Sequence, residues 1–169
     1  MVVARRNLLS HHLLKFCSFF IAFILAIWPL PIAYNFFRPE IVALLTIYWV
    51  LHTPANTGQS YIWVVGLLLD MVEGGVWGAH ALGLSLMYFV CYSSYRRIRT
   101  YPVWQQAFWV FVLIGAYQVI VSWVESFIGR DAQFQFLIMP AIISALLWPV
   151  LSVILFRLRY PSRGTRVPV

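Results

Sequence analysis

Between Leu13 and Phe156 the sequence resolves into six apolar runs, divided by short breaks of polar, glycine and proline residues. They cover about Leu13–Ala33, Pro39–Thr53, Gln59–Val72, Leu82–Tyr95 (starting near Gly78), Val103–Phe127 and Phe136–Phe156. Runs this apolar belong in lipid. There the backbone must satisfy its own hydrogen bonds, so each run reads as a helix. Only 10% of the residues are charged, against the ~25% usual in globular chains. The expected fold is therefore an all-α integral membrane protein with six transmembrane segments. Runs two and three are shorter than the ~20 residues of a full span and could form a re-entrant pair across the His52–Gly58 turn. Either option leaves the parity of the chain unchanged.

The formal net charge of +7 does not point to nucleic acid, because the basic residues sit between apolar runs and not along one stripe. Arg5, Arg6 and Lys15 precede run one. Arg96, Arg97 and Arg99 join runs four and five, and Arg157, Arg159, Arg163 and Arg166 follow run six. Of the twelve Lys and Arg residues only Arg38 and Arg130 fall on the other side. The positive-inside rule then expects both termini in the cytoplasm. The division is a cytoplasmic arm at 1–12, a six-helix membrane domain at 13–156 and a basic cytoplasmic tail at 157–169, with no soluble domain. Run one has the polarity of a signal peptide, but Trp28-Pro-Leu-Pro31 offers no small-x-small cleavage site, so an uncleaved span is expected. Glu40, Asp70, Glu73, Glu125 and Asp131 all fall near the outer ends, beside Arg38 and Arg130. Trp28, Trp49, Trp77 and Trp104 suit interface anchors.

The densest motif is Gly66–Leu82, an apolar run ending in Asp70 and Glu73, then Gly74, Gly75 and Gly78, then a second apolar run with His80. A carboxylate within an apolar membrane segment is costly and calls for a partner or a task. Asp70, Gly66 and Trp63 share one helical face. Asp70 could bind a ligand, a proton or a partner. The structural alternative is favoured: it accepts backbone N–H bonds from the Gly74–Gly78 turn or pairs with Arg38, as buried polar groups are nearly always satisfied locally.

Run five carries Gly115, Gln118, Ser122 and Glu125 at the helical period, a stripe that lipid could not satisfy. It faces the bundle or a partner helix, and packing is favoured over a transport route, since run six offers only Ser144, Trp148 and Ser152 and run four mainly Ser85. Pro149 frees the Ala145 carbonyl, so a kink is expected there. Ala22 and Ala26 form a weak small-xxx-small pair. Glu125, Asp70 and His80 could in principle make an acid–base set, but no nucleophile–base spacing or phosphate loop accompanies them. His11 and His12 are adjacent and make a poor metal site; His52 and His80 read as hydrogen-bonded loop residues. Cys17 and Cys91 lie within apolar runs without metal or disulfide spacing. Neither an enzyme nor a cofactor is expected.

Phe37-Arg38-Pro39, Tyr48-Trp49, the Gly66-xxx-Asp70-xxx-Gly74-xxx-Gly78-xxx-Leu82 series, Trp104-Gln-Gln-Ala107 and Leu147-Trp148-Pro149 occur in that order. Together they resemble MreD, the rod-shape-determining membrane protein family of bacteria, over about residues 13 to 160. Glu73 departs from the uncharged residue expected inside the glycine motif. The resemblance implies membership of the peptidoglycan elongation machinery in the inner membrane. The implied partners are a single-span MreC-like protein, a RodA-like glycosyltransferase and a class B penicillin-binding transpeptidase, with MreB and RodZ acting from the cytoplasmic side. It also implies a fold similar to the S component of energy-coupling-factor transporters, and hence an alternative function, binding of a small vitamin-like molecule. A carrier would need an enclosed pocket near the outer ends, lined by residues such as Trp63, Trp77, Asp70 and Glu125. A scaffold would need an open, helix-sized groove.

Overall fold

The computed structural model describes residues 2–28, 38–127, 129 and 138–159. Arg130, Asp131, Arg163 and Arg166 lie outside these residues, as does the tail from residue 160. The described residues form six α-helices and one short 3-10 turn, with no strand: α1 (Val2–Ile27), α2 (Ile41–His52), the turn Pro54–Asn56, α3 (Gln59–Glu73), α4 (Ala79–Ile98), α5 (Val103–Ser126) and α6 (Ile138–Arg159). Each apolar run has become one helix. Among them α5 and α6 are by themselves long and apolar enough to cross a membrane. At 12 and 15 residues, α2 and α3 rise only about 18 and 22 Å. Helix α1 continues back to Val2, through the stretch read as an arm.

The bundle is organised around α2. Its sequence, IVALLTIYWVLH, is apolar on every side, and every residue from Val42 to Leu51 is buried. A helix apolar all round belongs inside. It is packed by α4, α1, α5 and α6, while consecutive helices α3 to α6 pack pairwise. The other helices bury one face and present the other outward: Phe20, Phe89, Phe108 and Leu146 are all exposed. Trp49, expected at an interface, is instead core. It is 1% exposed, and its indole N–H donates to Ser18 Oγ at 3.1 Å. Trp28, Trp77 and Trp104 are exposed.

Charge sorts to the two ends. At one end Lys15 donates to the Asn56 carbonyl and to Thr57 Oγ1, both at 3.0 Å, and Arg159 donates to the His52 carbonyl at 3.2 Å. Lys15 is thus no free flanking charge: at 4% exposure it ties α1 to the α2–α3 turn, its ammonium 4.0 Å from the Tyr61 ring centroid. At the other end, Glu40 enters α2 beside α5 and α6. Its N–H donates to Ser144 Oγ at 2.9 Å, and its carboxylate accepts from Gln118 Nε2 at 3.4 Å.

Candidate functional site: the Asp70 hairpin and its surroundings

Helices α3 and α4 form the closest-packed pair in the fold, and glycine is what lets them approach. A Cβ on Gly66 would lie 2.3 Å from Ala81 Cα and 2.7 Å from Ala81 N. Those are backbone atoms that cannot step aside, so only glycine fits. The reversal between the helices needs two left-handed residues, supplied by Gly74 at φ +64° and Gly78 at φ +97°. Gly74 closes α3, and Gly78 opens α4 without a side chain of its own to cap the helix.

Asp70 supplies that cap from the neighbouring helix. Fully buried at 0% exposure, its Oδ2 accepts from Gly78 N at 2.9 Å and Ala81 N at 3.4 Å, and its Oδ1 from His80 N at 2.8 Å. The first-turn N–H groups of a helix have no intrahelical acceptor, and a negative charge there also meets the positive end of the helix dipole. Oδ1 lies in addition 2.9 Å from His80 Nδ1, while His80 Nε2 lies 3.2 Å from Glu73 Oε2. With an oxygen acceptor at each nitrogen, the ring that satisfies both carries two N–H donors. Glu73, the departure from the glycine motif, thus has a partner one helical turn beyond Asp70. Arg38 does not pair with Asp70; it donates to the Leu25 carbonyl at 3.1 Å.

Other acidic groups gather nearby. A Cβ on Gly75 would stand 3.7 Å from Glu125 Oε1 and 3.9 Å from His80 Cε1. The His80 and Tyr117 rings are 6.1 Å apart. Buried Gln118 Oε1 and Tyr117 Oη have no hydrogen-bond partner among the described residues. Beside this cluster a cavity of about 200 Å³ is lined by Arg38, Glu40 and Glu73 with Ala22, Leu25 and Leu69.

The stripe on α5 is divided. Gln118 and Ser122 are buried in the protein's own core, Glu125 is half-buried, and a Cβ on Gly115 would meet nothing within 4 Å. The close approach made by α5 runs through Gly83 of α4, whose Cβ would lie 2.9 Å from the Tyr117 ring. Ala22 is likewise packed inside at 1% exposure. Trp63, placed by spacing on the Asp70 face, is exposed, because the buried face of α3 is centred on Ile62, Val65, Gly66 and Leu69 and Trp63 lies at its edge. His80, expected in a loop, is the second residue of α4. The sequence groups His80 with Asp70 only as part of a conceivable acid–base set; its contact with Glu73 and the role of Lys15 carry no local sequence signal, and the i to i+10 spacing of Asp70 and His80 signals contact only once the turn geometry is known.

An apolar groove of about 420 Å³ lies between α1 and α6, floored by α2 and lined by residues such as Cys17, Ile21, Leu44, Leu147, Val150 and Ile154.

Comparison with known proteins now gives this geometry a family. The family model described as rod shape-determining protein MreD matches residues 7–158. The rod shape-determining protein MreD of Haemophilus influenzae is 31% identical over 144 residues, covering 84% of this chain and 88% of that protein. No solved structure matches the chain. A membrane-capable helical chain matched over nearly its whole length in this way belongs to the MreD family, the rod shape-determining membrane proteins.

Proposed function

We propose that this protein is a non-enzymatic scaffold of the rod-shape (cell-wall elongation) complex, a six-segment protein of the bacterial inner membrane with both termini in the cytoplasm. Its task is to dock the transmembrane helix of an MreC-like single-span protein. RodA-like and transpeptidase partners join through the same assembly, and MreB and RodZ couple to it indirectly. The observation that carries the docking reading is the α1–α6 groove. Along α1 it extends from Leu14 to Leu25, about 16 Å of helix, open on the outside and apolar but for Ser18, whose hydroxyl is bonded to the Lys15 carbonyl and the Trp49 indole. A partner helix laid there would pack against α2, the buried centre of the fold. In lipid, such packing and shape match drive helix association, since lipid tails are as apolar as leucine.

The polar residues take the other half of the division of labour. Asp70, Gly66, Gly74 and Gly78 hold the α3–α4 hairpin, and Gln118 and Ser122 hold the inside of the bundle. The vitamin-binding alternative, which rests on kinship with S components, has less support. Trp63 and Trp77 are exposed instead of walling a pocket. The cavity beside Glu40 and Glu73, about 200 Å³, is smaller than the roughly 300–1,000 Å³ usual for ligand sites.

Filling the groove tests the reading. Leu147→Trp and Ile154→Trp should leave the monomer folded and abolish co-purification of an MreC-like partner, while Val119→Trp on the outer face of α5 should not. Retention of the partner by both groove variants would place docking elsewhere. Retention of a vitamin-sized ligand by wild-type protein that holds no partner would establish the carrier instead.

A further inference from the structure

A second cavity, of about 300 Å³, opens at the basic end of the bundle, between the last turn of α2, the α4–α5 turn and α6. It is lined by His52, Arg99, Thr100, Gln106, Ser152 and Arg157, with Val103, Val153 and Phe156 as apolar wall. Most of its polar lining is already committed. Thr100 Oγ1 donates to the Arg97 carbonyl at 2.7 Å and Ser152 Oγ to the Pro149 carbonyl at 2.9 Å. Gln106 donates to the Tyr101 carbonyl at 2.9 Å and accepts from the Trp148 indole at 3.3 Å. His52 Nδ1 faces the Tyr48 carbonyl at 2.9 Å.

Besides the Tyr101 side chain and the second ring nitrogen of His52, the lining offers two guanidiniums. Arg99 and Arg157 are exposed into this space. No carboxylate lines it; the described acids, Glu40, Asp70, Glu73 and Glu125, belong to the opposite end. The first turn of α5 also opens here, and its cap residue, Pro102, offers no side-chain hydrogen bond, so N–H groups of that turn add to the positive field. Two fork-shaped cations over an apolar wall match a phosphate diester with acyl chain attached. Arginine pairs with phosphate oxygens bidentately, and basic pockets between membrane helices are suited to anionic lipid headgroups.

We propose that this cavity is a binding site for a phosphate diester carried by an anionic phospholipid, with Arg99 and Arg157 gripping the phosphate and Val153 and Phe156 taking the start of a chain. The site is separate from the α1–α6 groove and independent of the docking reading; the proposed orientation enters only in naming the leaflet, the cytoplasmic one.

The test is native mass spectrometry of the full chain, released from nanodiscs of phosphatidylglycerol mixed with phosphatidylethanolamine. Wild type should retain phosphatidylglycerol. The pair Arg99→Gln/Arg157→Gln should weaken retention about tenfold or more, Arg99→Lys/Arg157→Lys should keep part of it, and Arg96→Gln/Arg97→Gln, which removes the same charge from the neighbouring surface, should leave it unchanged. Adding millimolar inorganic phosphate should not displace the lipid. Equal loss in both glutamine pairs would overturn the site in favour of diffuse surface attraction, and retention of phosphatidylethanolamine equal to that of phosphatidylglycerol would overturn its selectivity for an anionic lipid. Displacement by inorganic phosphate would mean a free anion is bound instead. Lipid retention unaffected by any pair, with binding of an acidic peptide abolished by Arg99→Gln/Arg157→Gln alone, would reassign the cavity to a protein partner.

Discussion

Replacing Asp70 with alanine removes the acceptor for three backbone donors at the start of α4, from Gly78, His80 and Ala81, and for one ring nitrogen of His80. Three of those contacts, from Gly78 N, His80 N and His80 Nδ1, are 2.9 Å or shorter. All converge on a residue with no exposure to solvent. A buried donor left without its acceptor costs about 1–3 kcal/mol, so the variant should lose at least ~3 kcal/mol. For a chain of this length that corresponds to a fall in melting temperature of roughly 6 °C or more. Asp70→Asn keeps one oxygen, which can still serve His80, but turns an NH2 toward Gly78 N, where donor faces donor. It should fall between alanine and wild type. The assay is a thermal unfolding series in one detergent, read by the fraction of monodisperse protein surviving on size exclusion. Alanine and wild-type proteins melting within about 1 °C of each other would refute the capping argument; a folded alanine variant without shape-determining function would assign Asp70 a binding or proton-handling role.

Gly66→Leu should prevent folding, because its side chain would start inside the Ala81 backbone, whereas Gly115→Leu should fold normally into open space; comparable yields of both by fluorescence-detected size exclusion would contradict the packing described. Lys15→Ala should destabilise the α2–α3 turn by about 1–3 kcal/mol, since the Asn56 carbonyl and Thr57 hydroxyl lose their buried partner, and a thermal melt checks it. Cysteines introduced at Ser10 and Ser162, in a background with Cys17 and Cys91 replaced by serine, should resist an impermeant thiol reagent in intact cells and react once the membrane is opened. Labelling of one terminus alone in intact cells would sink the six-segment orientation.

The helices were legible because each apolar run is bounded by residues that end helices for reasons visible in one dimension: Pro54 and Gly58, Gly74 and Gly78, Pro102. The Asp70 reversal was legible too, as a carboxylate followed by glycines that can take positive φ. What periodicity could not reveal is which apolar face turns inward when nearly every face is apolar. Trp49 and Trp104 look alike in sequence, yet one is core and the other exposed. Gly115 and Gly83 look alike as well, yet only Gly83 touches a neighbouring helix. Lys15 counted as a flanking charge, because nothing local distinguishes it from a lysine in water; its acceptors lie 41 and 42 residues away. In lipid the pattern of apolar and polar residues no longer separates inside from outside, and only small residues at contacts and buried polar pairs carry that information.

The central claim, that a single-span partner lies between α1 and α6, is tested most directly by photo-crosslinking in the intact membrane. A photoreactive residue at Ile21 or Ile154, both half exposed to the groove at 55% and 52%, should capture the transmembrane helix of the MreC-like protein. The same group at Val119 or Phe89, at least comparably exposed on other faces at 51% and 67%, should capture lipid alone. Partner crosslinks of equal strength at all four positions, or only at Val119 and Phe89, would contradict the account.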